Sequence, residues 1–302
     1  MATDPKEMPL ESVARPRMVQ SIATVLENVP VARDTFRIRL QAPEIARAIL
    51  PGQFVMIRPG SGNDPLLGRP FALYDVIRDG SVEPTAIDVV YLVIGRGTKA
   101  LAAVREGTCL PVWGPLGNGF GPAPRSPGRV IFVAGGIGQT PFLALGRWWL
   151  GQFSYGGRSG GPGLATSATL LYGVRNQAFA AGIEDFRGAG IDVEIATDDG
   201  SNGHHGYVTD LLAARLDRGE RPVEVIGCGP PAMLAGLAKL VERHAIPCVL
   251  SLENHMACGF GVCFSCVAPI RQADGSIDLR RVCVEGPIFN ATDVAFEASR
   301  PH

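Results

Sequence analysis

The sequence is poor in lysine, in aromatic residues and in long apolar runs. Lysine occurs only at positions 6, 99 and 239, and aromatic residues make up 7% of the chain. No apolar run approaches the roughly 18 residues that span a bilayer, and the first 17 residues lack the apolar core of a signal peptide. We therefore expect a cytoplasmic protein without a membrane span.

Neither charge sign predominates. The 28 basic residues, nearly all arginine, balance 29 acidic ones and give a net charge of −1. A nucleic-acid-binding protein needs a basic face, so this balance argues against such a partner. Glycine (38) and proline (24) stay below the share typical of disorder. The length of 302 residues predicts two domains, with room for a smaller third module.

Three stretches of different pattern follow one another. From residue 17 to residue 125, short apolar runs broken by turn residues predict a small β-barrel. Residues 126–250 alternate strand-like and helical stretches, which indicates an α/β unit on a parallel sheet. Residues 251–295, rich in cysteine and glycine, predict a small third module. Within the second unit, residues 151–163 are rich in glycine and serine and predict an inserted flexible loop.

The strongest chemical signal lies among the seven cysteines. Cys258, Cys263 and Cys266 have the spacing C-x4-C-x2-C, and Cys283 follows later, as in plant-type [2Fe–2S] proteins. Thiolates suit iron, and two irons need four of them. Glycines within the first spacing let a loop wrap the cluster. A zinc site and scattered buried thiols are the alternatives, but zinc sites favour two C-x2-C-like pairs, of which the sequence has one.

The second unit contains two loop motifs at predicted strand ends. Residues 134–141, AGGIGQTP, follow a buried strand and open a helix. Glycines there let a dinucleotide pyrophosphate approach the backbone, and a helix N-terminus favours its charge. The spacing G-x-G-x-x-G is missing, so a structural turn before a proline-started helix is the alternative. Residues 227–231, GCGPP, place Cys228 at another strand end, where α/β sheets bind ligands and where a cysteine also serves for packing.

The first unit carries a fourth motif, RPFALY at residues 69–74, with GRGT at 95–98 further along. Arg69 could bind a phosphate, and Pro70 holds the entry to a strand extended. Gly97 and Thr98 offer backbone N–H groups and a hydroxyl to a pyrophosphate. Alone, these residues are explained by an exposed arginine beside a turn. Beside a nucleotide domain and a cluster motif, the functional interpretation is stronger.

The order of these motifs resembles the ferredoxin–NADP reductase superfamily, and within it the electron-transfer subunits of type B dihydroorotate dehydrogenase. The closer resemblance rests on GPLGNGF at 114–120, SLENHMACGFGVC at 251–263 and CVEGPIF at 283–289. The resemblance covers residues 17–295. It implies a β-barrel that binds FAD, an α/β domain that binds NAD(H), and a C-terminal [2Fe–2S] module. NADP is not excluded as the nucleotide of the α/β domain. The resemblance also implies a heterotetramer of two plus two subunits, whose partner oxidises dihydroorotate at FMN. Electrons then pass through the cluster and FAD to NAD⁺ in pyrimidine biosynthesis.

The resemblance assigns site residues by position. Those implied to contact FAD are Arg69, Pro70, Phe71, Ala72, Val90, Tyr91, Leu92, Gly97 and Thr98. Those implied on the NAD side are Gly135, Gly136, Gly138, Thr140 and the candidate catalytic residue Cys228. The implied cluster ligands are Cys258, Cys263, Cys266 and Cys283.

Two positions depart from the family pattern and keep other functions open. Ala72 stands where the family usually has serine, and Leu92 where arginine is common. A paralogous FAD and [2Fe–2S] subunit is one alternative, serving a sulfide dehydrogenase or an NADH-dependent ferredoxin:NADP reductase. A self-contained reductase that feeds an oxygenase is a second. A zinc-stabilised binding module without catalysis is a third.

Overall fold

The computed structural model of the chain describes residues 17–60, 64–121, 123–159 and 165–298. Its strands are β1 (Val19–Ala32), β2 (Thr35–Gln41), β3 (Phe54–Ile57), β4 (Arg69–Ala72), β5 (Asp75–Ile77), β6 (Ala86–Leu92), β7 (Cys109–Leu116), β8 (Gly128–Gly135), β9 (Ser154–Tyr155), β10 (Arg158–Ser159), β11 (Ala165–Val174), β12 (Ile191–Thr197), β13 (His204–His205), β14 (Glu224–Cys228), β15 (Cys248–Ser251), β16 (Val267–Arg271), β17 (Ile277–Arg281) and β18 (Ile288–Asn290). Its helices are α1 (Pro43–Ala48), α2 (Arg96–Ala102), α3 (Phe142–Trp149), α4 (Ile183–Gly188), α5 (Val208–Asp217) and α6 (Pro231–Arg243), with 3-10 helices at Gly136–Gln139, Gln177–Phe179 and Phe296–Ala298. None of the helices in these stretches is long and apolar enough to cross a membrane.

The first seven strands form one curled antiparallel sheet in the order β4-β3-β7-β1-β2-β6-β5. In β2 the alternating residues Ile38 and Leu40 are fully buried, as the period of two predicts for a strand with one face inward. The end strands β4 and β5 do not pair with each other, so the predicted barrel is an open half-barrel.

The second sheet has the order β13-β12-β11-β8-β14-β15-β18 and is parallel except for β18. The central strand β8 is buried from Val130 onward, which explains its unbroken apolar run. The chain leaves β8 for β11 on one side and later places β14 on the other. Such a reversal of strand order opens a crevice at the carboxyl ends of the strands. The predicted α/β unit is confirmed.

The C-terminal stretch forms a β16–β17 hairpin and a cysteine-rich loop, and then returns to the main sheet. Strand β18 pairs antiparallel with β15. Ile270 and Val282 of the hairpin region are buried in the same apolar cluster as Leu237 and Leu240 of α6. The third module therefore shares its core with the α/β unit.

The glycine- and serine-rich stretch 151–163 was predicted to be a flexible loop, and for residues 154–159 this is wrong. Strands β9 and β10 pair there as a short hairpin, and Tyr155 is 1% exposed. A buried tyrosine anchors the segment, which a composition-based argument overlooks. Residues 160–163 lie outside the described part of the chain.

The Tyr155 hydroxyl ties this hairpin to the half-barrel through a buried carboxylate. It donates to Oδ1 of Asp75 over 2.6 Å, and the Asp75 carboxylate also pairs with Arg147 of α3. Burial raises the pKa of Asp75, while the Arg147 guanidinium and the Tyr155 hydroxyl oppose that shift. One carboxylate thus connects the half-barrel, α3 and the hairpin.

We expect Arg147→Met to destabilise the protein by about 3–5 kcal/mol, because it leaves the Asp75 carboxylate buried without a cation. The double variant D75N/R147M should lose much less, because no buried charge is left. Urea unfolding of both variants measures the difference.

Arg187→Met is the matched control, since Arg187 pairs with Glu184 on the surface. Its expected cost is below about 1 kcal/mol. An equal loss for Arg147→Met and Arg187→Met would contradict a structural role for the buried pair.

Candidate functional site

The RPFA and GRGT motifs, far apart in sequence, meet on the half-barrel. Arg69 begins β4, and its Nη1 donates to the carbonyls of Leu67 (2.9 Å) and Gly68 (3.1 Å). The Arg69 side chain lies against Gly97, where an added Cβ would be 3.0 Å from Nε. These contacts bring an arginine to the first turn of α2, which is the arrangement expected of a phosphate-binding corner.

The remaining residues implied at the flavin side lie on β4, β6 and the start of α2. Thr98 caps α2, since its hydroxyl accepts from the backbone N–H groups of Ile94 (3.0 Å) and Gly95 (3.1 Å). Tyr91 is 1% exposed and donates to Oδ1 of Asn28 over 3.0 Å, so its side chain belongs to the half-barrel core. Pro70, Phe71, Ala72 and Leu92 are half-buried, whereas Val90 is buried.

The glycine loop after β8 touches the loop after β14. A Cβ on Gly138 would lie 2.3 Å from the carbonyl oxygen of Cys228, and one on Gly135 would lie 2.7 Å from Met233 Sδ. Only glycine permits this approach. Gly136 differs, because its φ is +55° and nothing lies within 4 Å of its Cβ position. Gly136 thus leaves the space into which a ligand can approach the backbone.

Cys228 ends β14, paired in register with Ala134 and with Ser251 of β15. Burial first, and then the nearby Glu253 carboxylate, raise the pKa of the Cys228 thiol, while a hydrogen bond with Ser251 lowers it. The thiol therefore stays neutral at physiological pH. Ser251 and Glu253 are neighbours that the motif analysis missed, although both stand in the 251–263 segment it quoted.

Gln139, inside the AGGIGQTP segment, is another residue that the sequence analysis passed over. It is fully buried, and neither amide atom of its side chain has a hydrogen-bond partner within the described residues. Its neighbour Thr140 is 6% exposed. A buried amide without hydrogen bonds lowers the stability of the folded state. The loop therefore has hydrogen-bonding groups without partners next to its glycines.

The four cysteines of the C-terminal motif lie close together. Cys263 interacts with Cys258, and Cys283 interacts with both Cys266 and Cys258. Hydrogen bonds with Ser265 lower the pKa of Cys263 to about 6. Burial, followed by the contact with Cys266, raises the pKa of Cys283 to about 12. Four neighbouring thiols are the donor set that two linked irons require.

The cysteine loop is held by backbone geometry and by the half-barrel. Gly259 (φ +82°) and Gly261 (φ +92°) adopt conformations that favour glycine. A Cβ on Gly259 would be 2.6 Å from Met56 Cγ of β3. The Trp113 indole of β7 donates to the Cys258 carbonyl over 3.0 Å, and Arg281 Nη1 donates to the Gly261 carbonyl over 3.1 Å.

Solved structures show which class of fold this is. The structure of an NADH-dependent reduced ferredoxin–NADP oxidoreductase superposes with a TM-score of 0.75 at 24% identity, covering 92% of this chain and 91% of that one. The Amycolatopsis cytochrome P450 reductase GcoB gives a TM-score of 0.60 at 26% identity, covering 76% and 67%. The half-barrel and parallel-sheet domain thus have the ferredoxin reductase-like fold, and the predicted fold class is confirmed.

Sequence comparisons narrow the class to one family. The family model for the iron-sulfur cluster binding domain of dihydroorotate dehydrogenase B matches residues 253–295. The dihydroorotate dehydrogenase B (NAD(+)) electron transfer subunit of Desulforamulus reducens is 34% identical over 276 residues, which cover 91% of this chain and 98% of that protein. The same subunit of Shouchella clausii is 35% identical, with 92% and 99% covered. The chain belongs to this family of electron transfer subunits, which confirms the resemblance inferred from its motifs.

We expect Gly261→Ala to disrupt the cysteine loop, because a Cβ there would lie 2.5 Å from Val284 Cγ2 in a backbone of positive φ. Strain of this kind costs about 1–3 kcal/mol, and the clash adds to it. Thermal unfolding and the iron content of the purified protein measure the effect.

Gly275→Ala is the control, since Gly275 has φ +83° but nothing within 4 Å of its Cβ position. The Gly275→Ala variant should lose stability only through the backbone strain of a positive φ, and it should keep its iron. Equal iron loss in both variants would show that crowding at Gly261 does not shape the loop.

Proposed function

We propose that this chain is the electron-transfer subunit of a dihydroorotate dehydrogenase complex in pyrimidine biosynthesis. In this proposal it binds FAD, NAD and a [2Fe–2S] cluster and carries electrons from the FMN of a dihydroorotate-oxidising partner to NAD⁺. The observation that carries the proposal is the order of the three sites in space. Gly259 of the cysteine loop abuts Met56, and Met56 pairs in register with Pro70 of the RPFA strand.

The other side of the half-barrel meets the nucleotide loop. The 3-10 helix at Gly136–Gln139 packs against β6, the strand of Val90, Tyr91 and Leu92. The candidate flavin residues on β4 and β6 therefore lie between the cysteine loop and the NAD-side loop. When bound, the cluster exchanges single electrons, NAD accepts a hydride, and the flavin can do both. The spatial order of the residues matches the order that this chemistry needs.

Each group of residues has a role that follows from its geometry. Arg69 supplies a cation for a flavin phosphate, and the open backbone at Gly136 admits the NAD pyrophosphate. Cys228 places a neutral, buried thiol at the crevice, where it can pack against a planar ring without adding charge. The four thiolates come from Cys258, Cys263, Cys266 and Cys283.

Three further assignments belong to the proposal. The domain boundaries are 17–125 for FAD, 126–250 for NAD and 251–295 for the cluster. The assembly is a heterotetramer of two copies of each subunit. The location is the cytoplasm, supported by the crowding of free thiols, which a reducing compartment maintains.

The purified protein should show flavin bands and a broad iron–sulfur shoulder that bleach under anaerobic NADH. A dihydroorotate-oxidising subunit should co-purify with it. A colourless protein with one tightly held zinc would overturn the proposal. A coloured, NADH-reducible protein that associates only with another dehydrogenase would retain the cofactors and overturn the partner.

Cys263→Ser and Cys266→Ser should each remove most of the iron and the shoulder while leaving the flavin bands. Cys109→Ser is the matched control, because Cys109 lies on the half-barrel sheet, outside the cysteine loop. Iron analysis and visible spectra distinguish the three variants. Retention of iron in both loop variants would contradict the ligand assignment.

A further inference from the structure

Two arginines from different domains share one aromatic ring. Arg33 lies in the turn between β1 and β2 of the half-barrel, and its Cζ is 5.5 Å from the centroid of the Phe179 ring. Arg175 follows β11 directly, and its Cζ is also 5.5 Å from that centroid. The Arg33 backbone N–H donates to the Ala178 carbonyl over 2.8 Å. The backbone contact fixes the turn against the segment that carries Phe179.

The two guanidinium groups are not engaged in ion pairs with carboxylates. Both arginines are exposed, and neither takes part in any ion pair found within the described stretches of the chain. In these stretches, most other arginines that contact a side chain contact the carboxylate of an aspartate or a glutamate. Two cations in contact with the same ring both attract an anion that binds beside that ring.

The position of the pair connects it with both glycine loops. Gly173 pairs in register with Gly135 of β8, so Arg175 emerges just beyond the carboxyl edge where the nucleotide loop begins. On the other side, the Asp34 carbonyl next to Arg33 accepts from the Val93 N–H over 2.7 Å, close to the GRGT segment. The pair therefore stands between the two loops to which dinucleotide phosphates are assigned.

We propose that Arg33 and Arg175 form a phosphate clamp for the diphosphate of a bound dinucleotide, with Phe179 as a positioning residue. Guanidinium groups bind phosphate oxygens through paired, charge-assisted hydrogen bonds, and stacking on a ring fixes their planes in advance. The clamp rests on the proposed function, because NAD and FAD are the two dinucleotides it assigns, and both carry this diphosphate.

The test uses the full-length protein with its cofactors bound. The probe is 5′-ADP, and its binding is measured by calorimetry. Arg33→Gln and Arg175→Gln should each weaken 5′-ADP binding about tenfold, the loss typical of a hydrogen bond to a charged group. Adenosine, which lacks the phosphates, should bind each variant as it binds the unmodified protein. Arg175→Lys should recover part of the affinity, and Phe179→Leu should lose less than either arginine variant.

Arg243→Gln is the matched control, since Arg243 is an exposed arginine in the last turn of α6, at the opposite edge of the sheet. Unchanged thermal midpoints show that the variants fold. Unchanged 5′-ADP affinity together with full flavin content in the two glutamine variants would overturn the clamp, as would equal weakening in the control.

Two readouts distinguish the sources of the diphosphate. If the glutamine variants bind NADH and 5′-ADP more weakly but keep their full flavin content, the clamp holds the diphosphate of NAD. Loss of flavin on purification, with unchanged 5′-ADP binding in the flavin-loaded fraction, assigns it to FAD. Failure of the proposed function has a different result, because the unmodified protein would then neither retain flavin nor oxidise NADH.

Discussion

The close approach of two backbone loops at the carboxyl edge of the parallel sheet constrains the rest of the site. With Gly138 in contact with the Cys228 carbonyl, the loops after β8 and β14 behave as one unit. Any side chain at Gly138 would separate them, because a Cβ at 2.3 Å from a carbonyl oxygen cannot be accommodated without moving backbone. The location of the Cys228 thiol, and the opening at Gly136, both follow from this contact.

The half-barrel serves as the common support for the other two units. Trp113 and Met56 hold the cysteine loop from one direction, while β6 receives the nucleotide loop from another. The three sites are thus ordered by packing within one chain. Electron transfer depends on short separations between carriers, so an arrangement fixed by contiguous buried contacts favours it more than one joined by flexible linkers.

The architecture and the cysteine motif could be predicted from the sequence, because both produce patterns among residues that are close in sequence. Period-two alternation in β2 and the buried run in β8 identify strands without reference to their neighbours. The contacts that depend on tertiary packing could not be predicted in this way. Tyr155 stands in a glycine-rich stretch that looks structureless by composition, and its carboxylate partner lies on a distant strand. The clamp is of the same kind, since Arg33 and Arg175 become neighbours only after folding.

Buried polar contacts between the half-barrel and the nucleotide domain indicate a fixed rather than a hinged junction. Besides the Asp75–Arg147 pair, the Tyr74 hydroxyl donates to Asp185 of α4 over 2.7 Å, and burial raises the pKa of Tyr74 well above its ordinary value. Opening this junction would break both contacts and expose the buried Tyr74 side chain to water, which opposes a hinge motion. Hydride transfer needs the two rings at close and reproducible separation. A junction held by the buried Asp75 carboxylate and the buried Tyr74 side chain supplies that geometry before any ligand binds, so ligand binding need not order the domains first.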